Sequence, residues 1–243
     1  MDIGKSFTYV FDDEKWVQKL GIGGLLLLIP GVNVVTSLFV VGYSLRVLKN
    51  VAEGAETPLP EWDNWGEDWV HGFLFMLAAF IYSLPLIILA GIASGISAAT
   101  GYEAGSNVST LASICGCGLS CLYALWGIAE AIVLPAAMIN YAIEGDFGSM
   151  FRFGDLFRFV RDNFSSYIVA VLLTVLAQFL AGFGTILCVI GVAFTSCWAV
   201  LVSVHLLGQV KAEAVSVPAA PASAYGELVE SDLSSADEEP EQS

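Results

Sequence analysis

Basic residues are scarce in this chain. Nine Lys and Arg stand against 24 Asp and Glu over 243 residues, a formal net charge of -15. No basic footprint exists for phosphate backbones, which excludes nucleic acid as a partner. Charge of either sign is thin as well, at 14% of residues, against about 25% in soluble domains. With 56% hydrophobic residues and a mean hydropathy of +0.74, a water-soluble globular enzyme is excluded. Two histidines give a zinc or haem site little to draw on, so no metal and no cofactor is expected. Ser-His-Asp patterns, phosphate loops and paired catalytic carboxylates are missing, and the chain reads as non-enzymatic. The start, Met1-Asp2-Ile3-Gly4-Lys5, has neither the charge and length pattern of a cleaved signal nor that of a myristoylation site.

What the chain has instead is long runs free of charge. Residues 20–45, 72–102, 104–129 (continuing past Glu130 to Ile143) and 163–210 carry no Asp, Glu, Lys or Arg. One helix needs about 20 apolar residues to cross about 30 Å of hydrocarbon. The last run is therefore two spans turning near Gly182-Phe183-Gly184-Thr185, and the second and third are one span each. Backbone groups in lipid must be satisfied internally, which makes these segments helices.

The first run is decided by the basic residues. If 20–45 crosses once, Lys5, Lys15 and Lys19 face away from Arg46, Lys49, Arg152, Arg158, Arg161 and Lys211. If it turns back at Ile29-Pro30-Gly31-Val32-Asn33, all nine share one side, as cytoplasmic segments prefer. The run is read as a short hairpin, either re-entrant or fully spanning.

Each pair of apolar segments follows a short aromatic, charged stretch: Phe7–Leu20, Trp62–Phe73 and Phe151–Phe164. In the third, Phe153, Leu156, Phe157, Val160 and Phe164 repeat with helical spacing, and Asp155, Arg158 and Asp162 turn away. The expected fold is an all-α integral membrane protein. It is a helical bundle of about six membrane segments arranged as three hairpins, each preceded by an amphipathic interfacial helix. The alternative for these stretches is plain helical extension of the following span. Residues 1–211 form this membrane domain, with both termini cytoplasmic. Residues 212–243 hold eight acidic residues and no basic one among Ala, Pro and Ser, and are expected to be a disordered acidic tail. That tail is either a solvating segment or a dock for a protein partner.

Few residues carry candidate chemistry. Glu130 lies about 21 Å by helical rise from the polar exit at Glu144, inside an apolar run and five residues before Pro135. A carboxylate at such depth must be protonated, paired or wet, and is a functional candidate by default. The alternatives are a hydrogen bond to another helix, through Gln178 or Thr174, and a role with an ion or proton. His205 stands six residues before Lys211 and reads as a boundary packing residue or a relay; His71 reads as packing. Cys115, Cys117 and Cys121 lie close together, with Cys117 and Cys121 on one helical face. They are either small packing residues or, at the outer surface, a disulfide source, and their redox state stays open. Gly91 and Gly95 form a small-xxx-small face for close helix approach, within one chain or between two copies.

Three stretches resemble a prokaryotic integral-membrane family known only as the domain of unknown function DUF4013. They are Gly42-Tyr43-Ser44-Leu45-Arg46-Val47-Leu48-Lys49-Asn50-Val51-Ala52-Glu53-Gly54, the motif Pro58-Leu59-Pro60-Glu61-Trp62-Asp63-Asn64-Trp65-Gly66, and Leu206-Leu207-Gly208-Gln209, with Gly23-Gly24 also fitting. The resemblance covers about residues 8–211 and implies a multi-pass protein of a bacterial or archaeal cell membrane, with no activity attached. The motif residues Pro58, Pro60, Trp62, Asp63 and Trp65 also have a physical reading. The prolines stiffen an extended loop, and Asp63, Glu67 and Asp68 suit the positive end of a new helix. The expected function is a non-enzymatic membrane organiser or partner-binding subunit in contact with the lipid bilayer. The alternative is a small ion- or proton-coupled transporter or channel using Glu130.

Overall fold

A computed structural model describes residues 1–28, 31–100 and 107–216. These residues form helices and no strand. Eight α-helices follow in order: α1 (Ile3–Asp12), α2 (Trp16–Leu28), α3 (Asn33–Ala52), α4 (Trp65–Thr100), α5 (Asn107–Glu144), α6 (Phe153–Asp162), α7 (Phe164–Gly182) and α8 (Cys188–Ser216). Short 3-10 turns at Phe147–Phe151 and Phe183–Leu187 join α5 to α6 and α7 to α8.

Five helices are long and apolar enough to cross a membrane, over Asn33–Ala52, Trp65–Gly95, Cys117–Glu144, Phe164–Ile186 and Ile190–Ser216. The sixth apolar segment, Trp16–Leu28, is shorter at 13 residues, or ~20 Å at ~1.5 Å per residue. It folds back on α3, where the Thr36 hydroxyl donates to the Leu26 carbonyl at 2.6 Å. The chain reverses there with Gly31 at φ +86°, a conformation that suits a residue without Cβ. Pro30, expected at this turn, lies outside the described residues, as do the polar 101–106 connection and the acidic 217–243 segment. The chain does not turn from helix to tail at residue 212: α8 runs on to Ser216, and Glu213 within it accepts from Ser166 at 3.0 Å.

The core sits on α3 and α8. Tyr43, Val47 and Leu48 of α3 meet Leu201, Val202, Leu206 and Val210 of α8 in one cluster, all buried. Apolar burial gains little in lipid, so close packing and polar contacts must hold such helices together. Glycine supplies the closest approaches. A Cβ on Gly42 would overlap the backbone carbonyl of Asp68, and one on Gly72 would overlap that of Leu38, so α3 and α4 cross backbone to backbone. Gly24 admits the Phe194 ring and Gly208 admits Val51, which brings α8 onto α2 and α3.

One of the three expected preceding helices, α6, takes the predicted form of a separate short element. The second does not. Trp69 and Phe73 belong to the continuous helix α4, because nothing in Trp65–Phe73 breaks the helix that begins at Trp65. The first stretch is also divided, with α1 ending at Asp12 and α2 starting at Trp16. On α6, Leu156 is buried whereas Phe153 and Phe157 are exposed, Phe157 at 73%.

Contacts tie the basic segments to one end of the bundle. The Lys19 ammonium donates to the Leu59 carbonyl at 2.8 Å and Lys15 pairs with Glu61 at 3.1 Å, so α2 begins beside the loop that leaves α3. Arg152 pairs with Glu144 at 2.7 Å, and Lys211 lies over the Phe159 ring of α6. The Asp2 amide donates to Gln209 at 2.7 Å, which places α1, carrying Lys5, along the end of α8.

Candidate functional site

The Pro58–Trp65 motif is a clasp around the end of α3. The Tyr43 hydroxyl donates to the Pro60 carbonyl at 2.8 Å, and Asn50 donates to that of Pro58 at 3.0 Å. Trp62 stacks on Tyr43 with ring centroids 4.1 Å apart, and its indole N–H donates to the Lys19 carbonyl at 3.0 Å. Trp65 meets Phe39 edge-on. Arg46 is the centre of the clasp. Its Nε and Nη2 form a fork on the two oxygens of buried Asp68 at 2.8 and 2.7 Å, and its Nη1 reaches Asp63 at 3.0 Å. That hydrogen bond holds the Asp63 carboxyl below its ordinary range. Next to the clasp is a recess of about 450 Å³ lined by Arg46, Lys49, Glu67, Asp68, His71 and Tyr141. His71 Nδ1 lies 2.8 Å from the Tyr141 hydroxyl. The sequence marks Arg46 and Asp68 as a boundary cation and a helix-start acid. Their pairing depends on the α3–α4 crossing, which sequence spacing does not reveal.

A second polar group lies on Asp13. Burial pushes its carboxyl up, but the Lys19 ammonium at 2.7 Å and the Lys15 amide at 2.8 Å outweigh that and bring it below its ordinary value. Lys19, 6% exposed, thereby joins α2 to the clasp through both Asp13 and Leu59.

Glu130 has a different setting from the expected one. Its partner is Ser83 of α4, whose hydroxyl donates to Oε1 at 2.6 Å, and not Gln178 or Thr174. The reason is helix order: α5 packs far more closely on α4 than on α7, from which Thr174 and Gln178 face it across a cavity. Glu130 stands on the wall shared by two cavities. One, of about 390 Å³, is a half-open hollow bordered by α4, α5 and the Phe151–Phe153 segment. The other, of about 330 Å³, is bordered by Ser44, Thr174, Gln178 and Ser203. The Thr174 hydroxyl is buried there and has no hydrogen-bond partner among the described residues. Glu130 and Gln178 thus border one cavity. Ser83, Tyr82 and Trp126 were missed; the only signal for them was a serine and a proline inside an otherwise apolar run.

His205 is not part of that site. It is buried under α1, with its ring 4.1 Å from that of Tyr9 and its Nδ1 3.0 Å from the Ser6 hydroxyl. Burial pushes the Tyr9 phenol far above its ordinary value, and its hydroxyl donates to the Leu201 carbonyl at 2.9 Å. Gly91 and Gly95 face open space: a Cβ on either would touch nothing, since the outer half of α4 presents that face away from the bundle. Close approach falls at Gly42 and Gly72 instead. Cys117 and Cys121 are free and exposed, Cys197 is free and buried, and the side chain of Cys115 lies outside the described residues. Among the described residues no three His, Cys, Asp or Glu side chains converge as a metal site would require.

Residues 25–190, more than half of the chain, match the family model described as protein of unknown function (DUF4013). The matched stretch contains the whole clasp motif and Glu130, and leaves out Gly23-Gly24 and Leu206–Gln209. No curated protein and no solved structure matches the chain.

Proposed function

We propose, from the premise that this chain belongs to the DUF4013 family, that it is a non-enzymatic membrane organiser that holds a protein partner. One observation carries this reading: beyond its crossing with α3, the α4–α5 pair is little packed within the chain. Only 17% of each of its spans is buried within the chain, against 22% for α7, 50% for α3 and 61% for α8. Phe80, Ile88, Leu125 and Ile128 are all more than half exposed along it. At 36 and 38 residues its helices are ~54 and ~57 Å long, well beyond ~30 Å of hydrocarbon. Such a hairpin offers far more apolar surface than one bilayer crossing needs.

The membrane is the cell membrane of a bacterium or archaeon, with both termini cytoplasmic. The gathering of basic segments at one end of the bundle supports that orientation. Helix α6 then lies in the interface, its exposed Phe153 and Phe157 in lipid and its charges in water. The acidic segment after Ser216 is a second contact for the partner. Affinity capture from detergent extracts, with the full chain and with residues 217–243 removed, tests the reading. A stoichiometric partner lost or weakened on removal supports it. If no partner is retained by either form, the organiser role is wrong.

A second reading has an observation of its own. Glu130, held by Ser83 between two cavities, supports ion or proton handling. Flux into reconstituted vesicles, compared between the parent chain and Glu130→Gln, tests it, and unchanged flux removes it.

A further inference from the structure

The cavity of about 390 Å³ between α4, α5 and the Phe151–Phe153 segment is lined by one acidic side chain, four aromatic ones and no basic one. The Ser83 hydroxyl is committed to Glu130 Oε1 at 2.6 Å. The Trp126 indole N–H is committed to the Tyr82 carbonyl at 3.0 Å, and the Tyr82 hydroxyl to the Met150 carbonyl at 2.5 Å. Lining the space are the Glu130 carboxyl group and the aromatic residues Tyr82, Trp126, Phe151 and Phe153. Tyr82 and Phe151 stack with centroids 5.5 Å apart, and Phe153 meets Tyr82 edge-on at 6.0 Å. Pro85 adds to this. It has no N–H to give the Ile81 carbonyl one turn back, and both residues line the cavity. The nearest cation in sequence, Arg152, does not line the space and is held by Glu144 and Asp146 at 2.7 and 3.2 Å.

A cavity with one carboxyl group, four aromatic rings and no cationic side chain disfavours anions. It suits a cation whose charge is spread over apolar bulk, which aromatic rings and a carboxyl oxygen attract and whose desolvation costs little. We infer that this cavity is a binding site for a lipophilic organic cation of the quaternary ammonium or phosphonium class. The inference deepens the ion-handling reading by naming the ligand class, and it is independent of any partner held by the α4–α5 hairpin. Binding without transport would remove that reading and leave the site.

The test uses the full chain in lipid nanodiscs with radiolabelled tetraphenylphosphonium, and tetraphenylborate as an anion of the same shape. Saturable binding of the cation with at least tenfold preference over the anion is expected. Glu130→Gln should weaken cation binding tenfold or more and narrow the preference. The exposed Phe153→Leu, which touches the core only at the edge of Tyr82, should weaken it severalfold with Glu130 intact. Equal uptake of the two ions, or cation binding unchanged in both variants, overturns the assignment. If Glu130→Gln fails to fold, Phe153→Leu decides alone.

Discussion

Gly42 of α3 packs backbone to backbone against Asp68 of α4, and the side chain of the same Asp68 is forked by Arg46, one helical turn beyond Gly42. One crossing thus combines two devices. The absent side chain sets the distance between helices, and the ion pair sets their rotation. Both matter more in lipid, where exclusion of water does not drive helices together.

The crossing has a steric consequence. Alanine at Gly42 or at Gly72 would place a methyl on a carbonyl of the facing backbone, which cannot rotate aside as a side chain can. Each substitution should lower stability in micelles by about 1–3 kcal/mol or more. Gly91→Ala meets open space and removes a helix-interior glycine, so it should be neutral or gain up to about 1 kcal/mol. Thermal or SDS unfolding of the three variants separates these outcomes; a Gly72→Ala chain as stable as its parent contradicts the close crossing.

The Arg46–Asp68 fork should show coupling. Asp68 is 1% exposed and Arg46 24% exposed on their side chains, so removing one partner leaves the other stranded. Arg46→Ala and Asp68→Ala should each cost about 2–4 kcal/mol, less than a fully buried pair because the guanidinium touches solvent. Their double mutant should cost less than the sum, with a coupling of about 1–3 kcal/mol. Arg46→Lys keeps charge but loses the fork, so it should recover only part of the loss. A coupling near zero in unfolding measurements would mean that the pair does not set the helix rotation.

Much of the layout was legible because its causes are local. Charge-free length marks α4, α5, α7 and α8, and helical spacing of Phe153, Leu156 and Phe157 marks α6; α3 was expected only as a short hairpin leg and instead runs on through Arg46 and Lys49 to Ala52. The Trp62–Phe73 stretch was misread because its Trp and Phe repeat suits a surface helix and the first turn of a span equally well. The site was harder. Glu130 and Gln178 stand out as polar residues in apolar runs, yet the partner of Glu130 is Ser83, 47 residues away on the facing helix. Gly91 and Gly95 carry the expected spacing, while Gly42 and Gly72, on two different helices, carry the contact. Pairings between helices depend on crossing geometry, which a single sequence does not encode as spacing.

Asp13 gives a pH dependence with a defined sign. Its folded value lies below the ordinary carboxylate value of about 3.9. A depressed group contributes stability above its unfolded value and loses it as pH falls through the folded one. The parent chain should therefore lose the Asp13–Lys19 contribution only below about pH 4. Asp13→Asn should be less stable than the parent at neutral pH, and the gap between them should close on acidification. Melting temperatures of the two chains from pH 7 down to about pH 3 measure this difference directly, since other carboxylates cancel in the comparison. A gap that widens towards acid would mean that Lys19 does not hold Asp13 in its charged form.

The one-sided gathering of basic residues predicts where water reaches the chain. Lys49 lines the recess with Glu144, and Arg158 lies on α6 next to Phe159, over which Lys211 is placed. Thr185 sits in the exposed turn between α7 and α8, at the opposite end of those two helices. If the basic end is cytoplasmic, Lys49→Cys and Arg158→Cys should be shielded from an impermeant thiol reagent in intact cells and react after the membrane is opened. Thr185→Cys should react in both conditions. The native cysteines are replaced by Ala first, because exposed Cys117 and Cys121 would otherwise add a background. The reverse pattern, with Lys49→Cys labelled from outside and Thr185→Cys protected, would invert the orientation. Labelling of Lys49→Cys but not Arg158→Cys would mean that the basic segments do not share one side.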